Sequence, residues 1–159
     1  MSKSTRQIFH VNHELLAQKI ADIEKAHALL TKIAALQKER FLEDEIMVSG
    51  AKYQLILAIE AAQNICNHLA ARLAREAPAS YADCFRILQK QGIVSRELTE
   101  KLVSMARFRN LLVHQYGKVD DAVLYNILQN NLADLLDYVQ DIKSFLSLST
   151  GSTGDNTHV

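Results

Sequence analysis

Proline occurs once in the 159 residues, at Pro78, and glycine five times. A proline inside a helix removes a hydrogen bond and clashes with the preceding turn, so prolines mark where helices must stop. Here that punctuation is nearly absent. Pro78 lies in the stretch Glu76 to Ser80 and divides the chain into two long segments rich in Ala, Leu, Ile, Gln, Glu and Lys. Those residue types favour helix. No alternating strand pattern and no internal repeat interrupts them. The chain reads as all-α, with one domain over residues 1–146 and a disordered Ser, Thr and Gly-rich tail over residues 147–159.

Apolar periodicity divides the segments further. Asn12 is positioned to cap a helix over His13–Gln37, whose stripe is Leu16, Ile20, Ile23, His27, Leu30 and Ala34. The charged run Lys38–Asp44 is read as a turn or kink. A second helix is expected over Glu45–Arg75, and a short third over Tyr81–Gln91, capped by Ser80 and stopped by Gly92. Ser95 opens a fourth over Arg96–His114. Gly117 ends or bends it, and Asp120 or Asp121 caps a fifth over Ala122–Leu146. Short connections between such helices imply an antiparallel up-and-down bundle of four main helices plus a short one. The middle of helix two, Tyr53–Leu73, is apolar nearly all round. That is more than a small monomer covers, so a dimer is expected with helices two and four near its interface.

Lys plus Arg and Asp plus Glu each number 18, so bulk charge gives no non-specific grip on nucleic acid. No apolar run reaches the roughly 20 residues of a membrane span, and no secretory signal is visible. A soluble cytoplasmic protein is expected. Cys66 and Cys84 are read as reduced, buried thiols. The histidines stand in no ligand spacing, so no metal site and no cofactor are expected.

The densest chemistry lies in Arg107–Tyr116, with Arg107, Arg109, Asn110, His114 and Tyr116 around Phe108, Leu111, Leu112 and Val113. An arginine clamps phosphate oxygens with a planar fork. A histidine changes charge near neutral pH and moves protons. Together they suit metal-free RNA cleavage, in which the 2′-OH attacks the adjacent phosphorus; DNA lacks that nucleophile. Between Arg96 and Lys118, five basic residues stand against two acidic ones (Glu97, Glu100), an attractive local patch for RNA. The five-residue spacing turns Arg109 and His114 about 140° apart on a regular helix, so one site using both calls for arginine's reach, a loosened helix end or a second subunit. On helix two, Glu60, Asn64 and His68 recur every four residues on one face. That strip is either solvated or the polar lining of a cleft shared with Arg109 and His114. By spacing alone, a structural or solvated helix end is the favoured explanation of the stretch.

Arg109-Asn-Leu-Leu-Val-His114-Gln-Tyr116 resembles the R-x4-H-x-Y motif of the HEPN superfamily, in its HepT-like branch. Glu60–Ala70, Pro78–Tyr81 with Phe85, Leu88 and Gly92, and Asp121–Ile127 resemble further segments of that family. The resemblance covers roughly residues 15–146. It implies a dimeric all-helical toxin ribonuclease of a toxin–antitoxin pair, with Arg109 and His114 catalytic. It also implies a nucleotidyltransferase antitoxin, MntA, that attaches AMP from ATP to Tyr116 and silences the toxin. Arg107, Asn110, Glu60, Asn64 and His68 are the expected supporting or RNA-binding residues. RNA is the expected substrate, with no DNA or membrane partner. Asn64 departs from the family, where Asp is more usual; Asn keeps the hydrogen bonds and loses the charge. The alternative is a non-catalytic helical dimer that binds a nucleotidyltransferase.

Overall fold

A computed structural model describes residues 11–151, and side chains through residue 148. The elements are α1 (His13–Ala34), α2 (Lys38–Glu43), α3 (Glu45–Leu69), α4 (Tyr81–Lys90), α5 (Arg96–His114), α6 (Asp121–Asn130) and α7 (Leu132–Gly151). The described residues contain no strand. The long helices form the expected helical bundle, with α1 packed along α3 and α5 and α7 completing it.

Local signals set the starts. Asn12, Asp44, Ser80, Ser95 and Asp120 each accept a backbone N–H of the first turn with a side-chain oxygen. Such caps satisfy donors that a helix start leaves orphaned. α3 ends in a π-turn, Ala70–Ala74, closed by Arg75 at φ 52°. Gly92 terminates α4 at φ +75°, where a side chain would be strained.

Two apolar clusters fill the interior. The larger joins Ile20 and Ile23 of α1, Ile65 and Leu69 of α3, Phe85 and Leu88 of α4, Leu102 of α5, and Tyr138 and Ile142 of α7. The smaller joins Leu30, Phe41, Leu55, Leu112, Leu124 and Leu128 at the other end of the bundle. α3 contributes to both, which explains why its middle is apolar on several sides. Tyr138 is fully buried; its hydroxyl donates to the Ala62 carbonyl at 2.9 Å, and burial pushes the phenol well above its usual pKa.

Four expectations change. Lys38–Glu43 is a helix of its own, because Phe41 has an apolar cluster to enter. The fifth helix is two: α6 stops at Asn130, and α7 begins at Leu132. Asn131 supplies the break, its carbonyl accepting Asp134 N–H at 3.1 Å and its amide donating to Asp134 Oδ2 at 3.5 Å. α7 runs to Gly151 rather than stopping at Leu146, since Ser and Thr do not block helix and the first glycine comes only there. Residues 152–159 of the expected tail lie outside the described residues. Cys66 and Cys84 are buried as expected, but they are paired as a disulfide, with Cα atoms 5.9 Å apart. Their 18-residue separation concealed this, because the Pro78 break folds α4 back against the end of α3.

Candidate active site

α5 and α3 pass one another so that Arg109 meets Glu60. Arg109 Nη2 donates to Glu60 Oε1 at 2.6 Å, and Nη1 donates to Asn110 Oδ1 at 3.2 Å. The guanidinium lies 5.4 Å from the centre of the Tyr81 ring, carried by the first turn of α4. The arginine side chain is only 14% exposed, against 40% for Glu60, so water screens this pair from the glutamate side alone. Arg109 Nε is buried without an acceptor. An unpaired buried donor costs on the order of 1–3 kcal/mol. The guanidinium is therefore fixed in direction by Glu60, Asn110 and Tyr81 while keeping unused donor capacity.

Shallow spaces flank this arginine's neighbours. A groove of about 450 Å³ between α1 and α3 is lined by Lys19, Lys25, Tyr53, Leu57, Glu60 and Asn64. A second, of about 350 Å³, is lined by Asn67, Pro78, Ser80, Tyr81 and Asn110. Asn64 is exposed on the first groove, one turn beyond Glu60.

His114 is the last residue of α5 and is exposed, as is Arg107. On this regular helix it projects about 140° away from Arg109. Beyond it the chain leaves the helix: Gln115 adopts φ −134°, and Tyr116–Lys118 form a 3₁₀ turn. Tyr116 therefore does not continue the Arg109 face. Its side chain is held by Lys52 of α3, whose Nζ lies 4.4 Å from the ring centre and donates to the Tyr116 carbonyl at 3.4 Å.

His68 is not brought to Arg109. Its Nε2 accepts the backbone N–H of Asn12 at 2.9 Å and so fastens the entry of α1 to α3. Burial lowers its pKa, with the Arg72 charge adding to the effect. The four-residue strip thus splits into Glu60 and Asn64 at the cleft, and His68 at a helix start. Among the described residues no three His, Cys, Asp or Glu side chains gather as a metal site, and no helix is long and apolar enough to cross a membrane.

Residues 19–142 match the family described as Ribonuclease HepT-like. The chain belongs to the HepT-like ribonuclease family. It is 23% identical over 132 residues to the mRNA nuclease HepT of Shewanella oneidensis, spanning 83% of this chain and 98% of that one. A putative RNase of Archaeoglobus fulgidus is 28% identical over 124 residues, spanning 78% of this chain and 92% of that one. The solved structure of the tri-AMPylated Shewanella oneidensis HEPN toxin in complex with MNT antitoxin superposes with a TM-score of 0.77 at 22% identity. It covers 84% of this chain and 99% of that one. The HepT-like fold is thus shared closely even where the sequence is not.

Two residues at this HepT-like site escaped the sequence reading. Lys52 carried a signal: a lysine in phase with the buried positions Val48, Ala51, Leu55, Ala58, Ile59 and Ala62 of α3. Tyr81 lay in a segment that resembles the family, but nothing in the sequence pointed to its contact with Arg109, which is made between distant segments.

Proposed function

We propose that the protein is a cytoplasmic, metal-independent endoribonuclease toxin of the HEPN/MNT type, with Arg109 and His114 as catalytic residues and Tyr116 as the site of AMP attachment. The observation that carries this reading is the held guanidinium: a nearly buried arginine, aimed by Glu60 and set against the Tyr81 ring. Membership of a ribonuclease family supports the chemistry.

The reaction follows from the groups. His114 takes the proton of a ribose 2′-OH. The oxygen forms a bond to the neighbouring phosphorus, and the bond from phosphorus to the 5′-oxygen breaks. A protonated histidine returns a proton to that leaving oxygen. Arg109 stabilises the charge that accumulates on the phosphoryl oxygens. Products are a 2′,3′-cyclic phosphate and a 5′-hydroxyl. Arg107, Asn110 and Asn64 border the site as exposed polar contacts for the strand.

The opposed directions of Arg109 and His114 favour a composite site completed by a second copy. An exposed apolar stripe on α3 supports such a homodimer: Ile46 is 81% exposed, Tyr53 58% and Leu57 37%, and the stripe leads directly to Glu60 and Asn64. The partner that silences the enzyme is a nucleotidyltransferase antitoxin, as the AMPylated, antitoxin-bound Shewanella oneidensis toxin suggests. AMP on Tyr116 sets a negative phosphate two residues from His114, where it repels RNA and obstructs its entry.

Incubation of the unmodified protein with total RNA in EDTA tests the enzyme reading. Cleavage is expected, and Arg109→Ala and His114→Ala should lower it by about a hundredfold or more; intact RNA with the parent protein, or equal cutting by the variants, overturns it. Mass spectrometry after incubation with the cognate nucleotidyltransferase and ATP should show added AMP that is absent in Tyr116→Phe.

A further inference from the structure

We propose that Lys52 is the positioning residue that presents Tyr116 to the modifying enzyme; this rests on the reading of Tyr116 given above. Lys52 lies on the buried side of α3, and its side chain is 7% exposed. A buried ammonium must be paired, since removal from water is otherwise costly. Two of its three contacts are to Tyr116, in the short segment after α5, and the third is to Asp121, at the start of α6. Nζ lies 3.2 Å from Asp121 Oδ1, 3.4 Å from the Tyr116 carbonyl and 4.4 Å from the centre of the Tyr116 ring.

The far end of that segment is anchored by Val119, packed against the smaller apolar cluster, and by the Asp120 cap, but the turn Tyr116–Lys118 has little else to order it. Gln115 leaves helical geometry, and the turn that follows has no side-chain cap. Around Tyr116 the other bonds are backbone closures, Gln115 N–H to the Leu111 carbonyl at 2.8 Å and Lys118 N–H to the Gln115 carbonyl at 2.9 Å. Neither closure reaches the Tyr116 side chain. Among the described residues the ring's one charged contact is Lys52, and the hydroxyl has no hydrogen-bond partner. One lysine thus fixes the backbone and one face of the ring, while Tyr116 remains 45% exposed. The cation and the ring attract through the ring's quadrupole, an interaction strengthened when the cation is desolvated. Asp121, at the start of α6, keeps the ammonium from turning away.

The modification requires this presentation. The phenolic oxygen attacks the α-phosphorus of ATP. An O–P bond forms as the bond from the α-phosphorus to the bridging oxygen breaks, pyrophosphate leaves, and the phenol proton passes to a base of the transferase. Attack in line is sensitive to where the ring stands, so a ring free to swing lowers the rate of transfer more than the encounter.

The test is labelling by the cognate nucleotidyltransferase with ATP, read by intact mass, on wild type, Lys52→Met, Lys52→Arg and Asp121→Asn. Each is assayed well below its own melting temperature. Lys52→Met is expected to lower the transfer rate constant by about tenfold with little change in KM. Lys52→Arg should recover most of that loss, and Asp121→Asn should show a smaller loss. Equal rates for Lys52→Met and wild type overturn the proposal while leaving the Tyr116 reading standing. A wild type that takes no AMP at Tyr116 overturns both. If Lys52→Met does not fold, NMR on wild type decides: nuclear Overhauser contacts between the Lys52 ε-methylene and the Tyr116 ring are expected, and their absence overturns the proposal.

Discussion

Arg109 and Tyr116 stand seven residues apart in one motif and are held in opposite ways. Arg109 lies within a regular helix, is gripped by side chains from α3, α4 and its own helix, and shows little of itself to water. Tyr116 lies past the end of that helix, in a 3₁₀ turn, with a single buried lysine behind it and an open face in front. On the roles proposed for Arg109 and Tyr116, the difference teaches that one motif contains two kinds of chemistry. A group that must meet charge developing in a transition state is fixed beforehand. A group that another enzyme must reach is put outside the helix and steadied from beneath.

The comparison is broken most severely at the gripped end. Arg109→Ala should lower RNA cleavage by about a hundredfold to a thousandfold, measured as the single-turnover rate on a defined RNA. Glu60→Gln keeps a hydrogen-bond acceptor and removes the charge; a rate lower by about tenfold is expected, without loss of the folded state in circular dichroism. Tyr81→Leu removes the ring and should cost a few-fold in rate, since a cation–π contact of this partly desolvated guanidinium at 5.4 Å is worth about 1 kcal/mol. If Glu60→Gln and Tyr81→Leu both cut like wild type, the arginine's surroundings are packing and nothing more.

A smaller effect separates His68 from the site. Its neutral Nε2 accepts the Asn12 N–H, and burial holds its pKa below the ordinary 6.5. The folded protein therefore binds this proton less readily than the unfolded chain. Stability from this group is complete above the unfolded value and is lost as pH falls through the histidine range toward the lower folded value. Melting temperature should fall between about pH 7 and pH 5, and His68→Asn should flatten that slope. His27, also lowered by burial, leaves part of the slope in place. Smallest is Tyr138→Phe, which removes one buried hydrogen bond to Ala62 and should cost about 1 kcal/mol in chemical denaturation.

Much of the architecture was legible because it is written locally. Asn12, Asp120, Ser80 and Ser95 cap the helices they were expected to cap, and α5 has the bounds its caps and periodicity gave. What escaped was non-local or marginal. Asn131 splits a helix whose apolar stripe runs on through the break, so periodicity could not reveal it. Glu60 and Asn64 were separable from His68 only once the entry of α1 was placed against α3. At the site, the residue types and the motif were visible, whereas Tyr81 depended on how the Pro78 connection folds back. Lys52 could have been found, as a charge in phase with buried neighbours.

The Cys66–Cys84 pairing has a consequence for the chain as a covalent object. It bridges α3 and α4 across the π-turn and the Pro78 connection, enclosing the exposed residues Arg75, Glu76 and Ala77. A protease that cuts after Arg75 would divide the polypeptide into two fragments. In the oxidised protein they would migrate as one band, and α4 would remain tethered to the helix that bears Glu60.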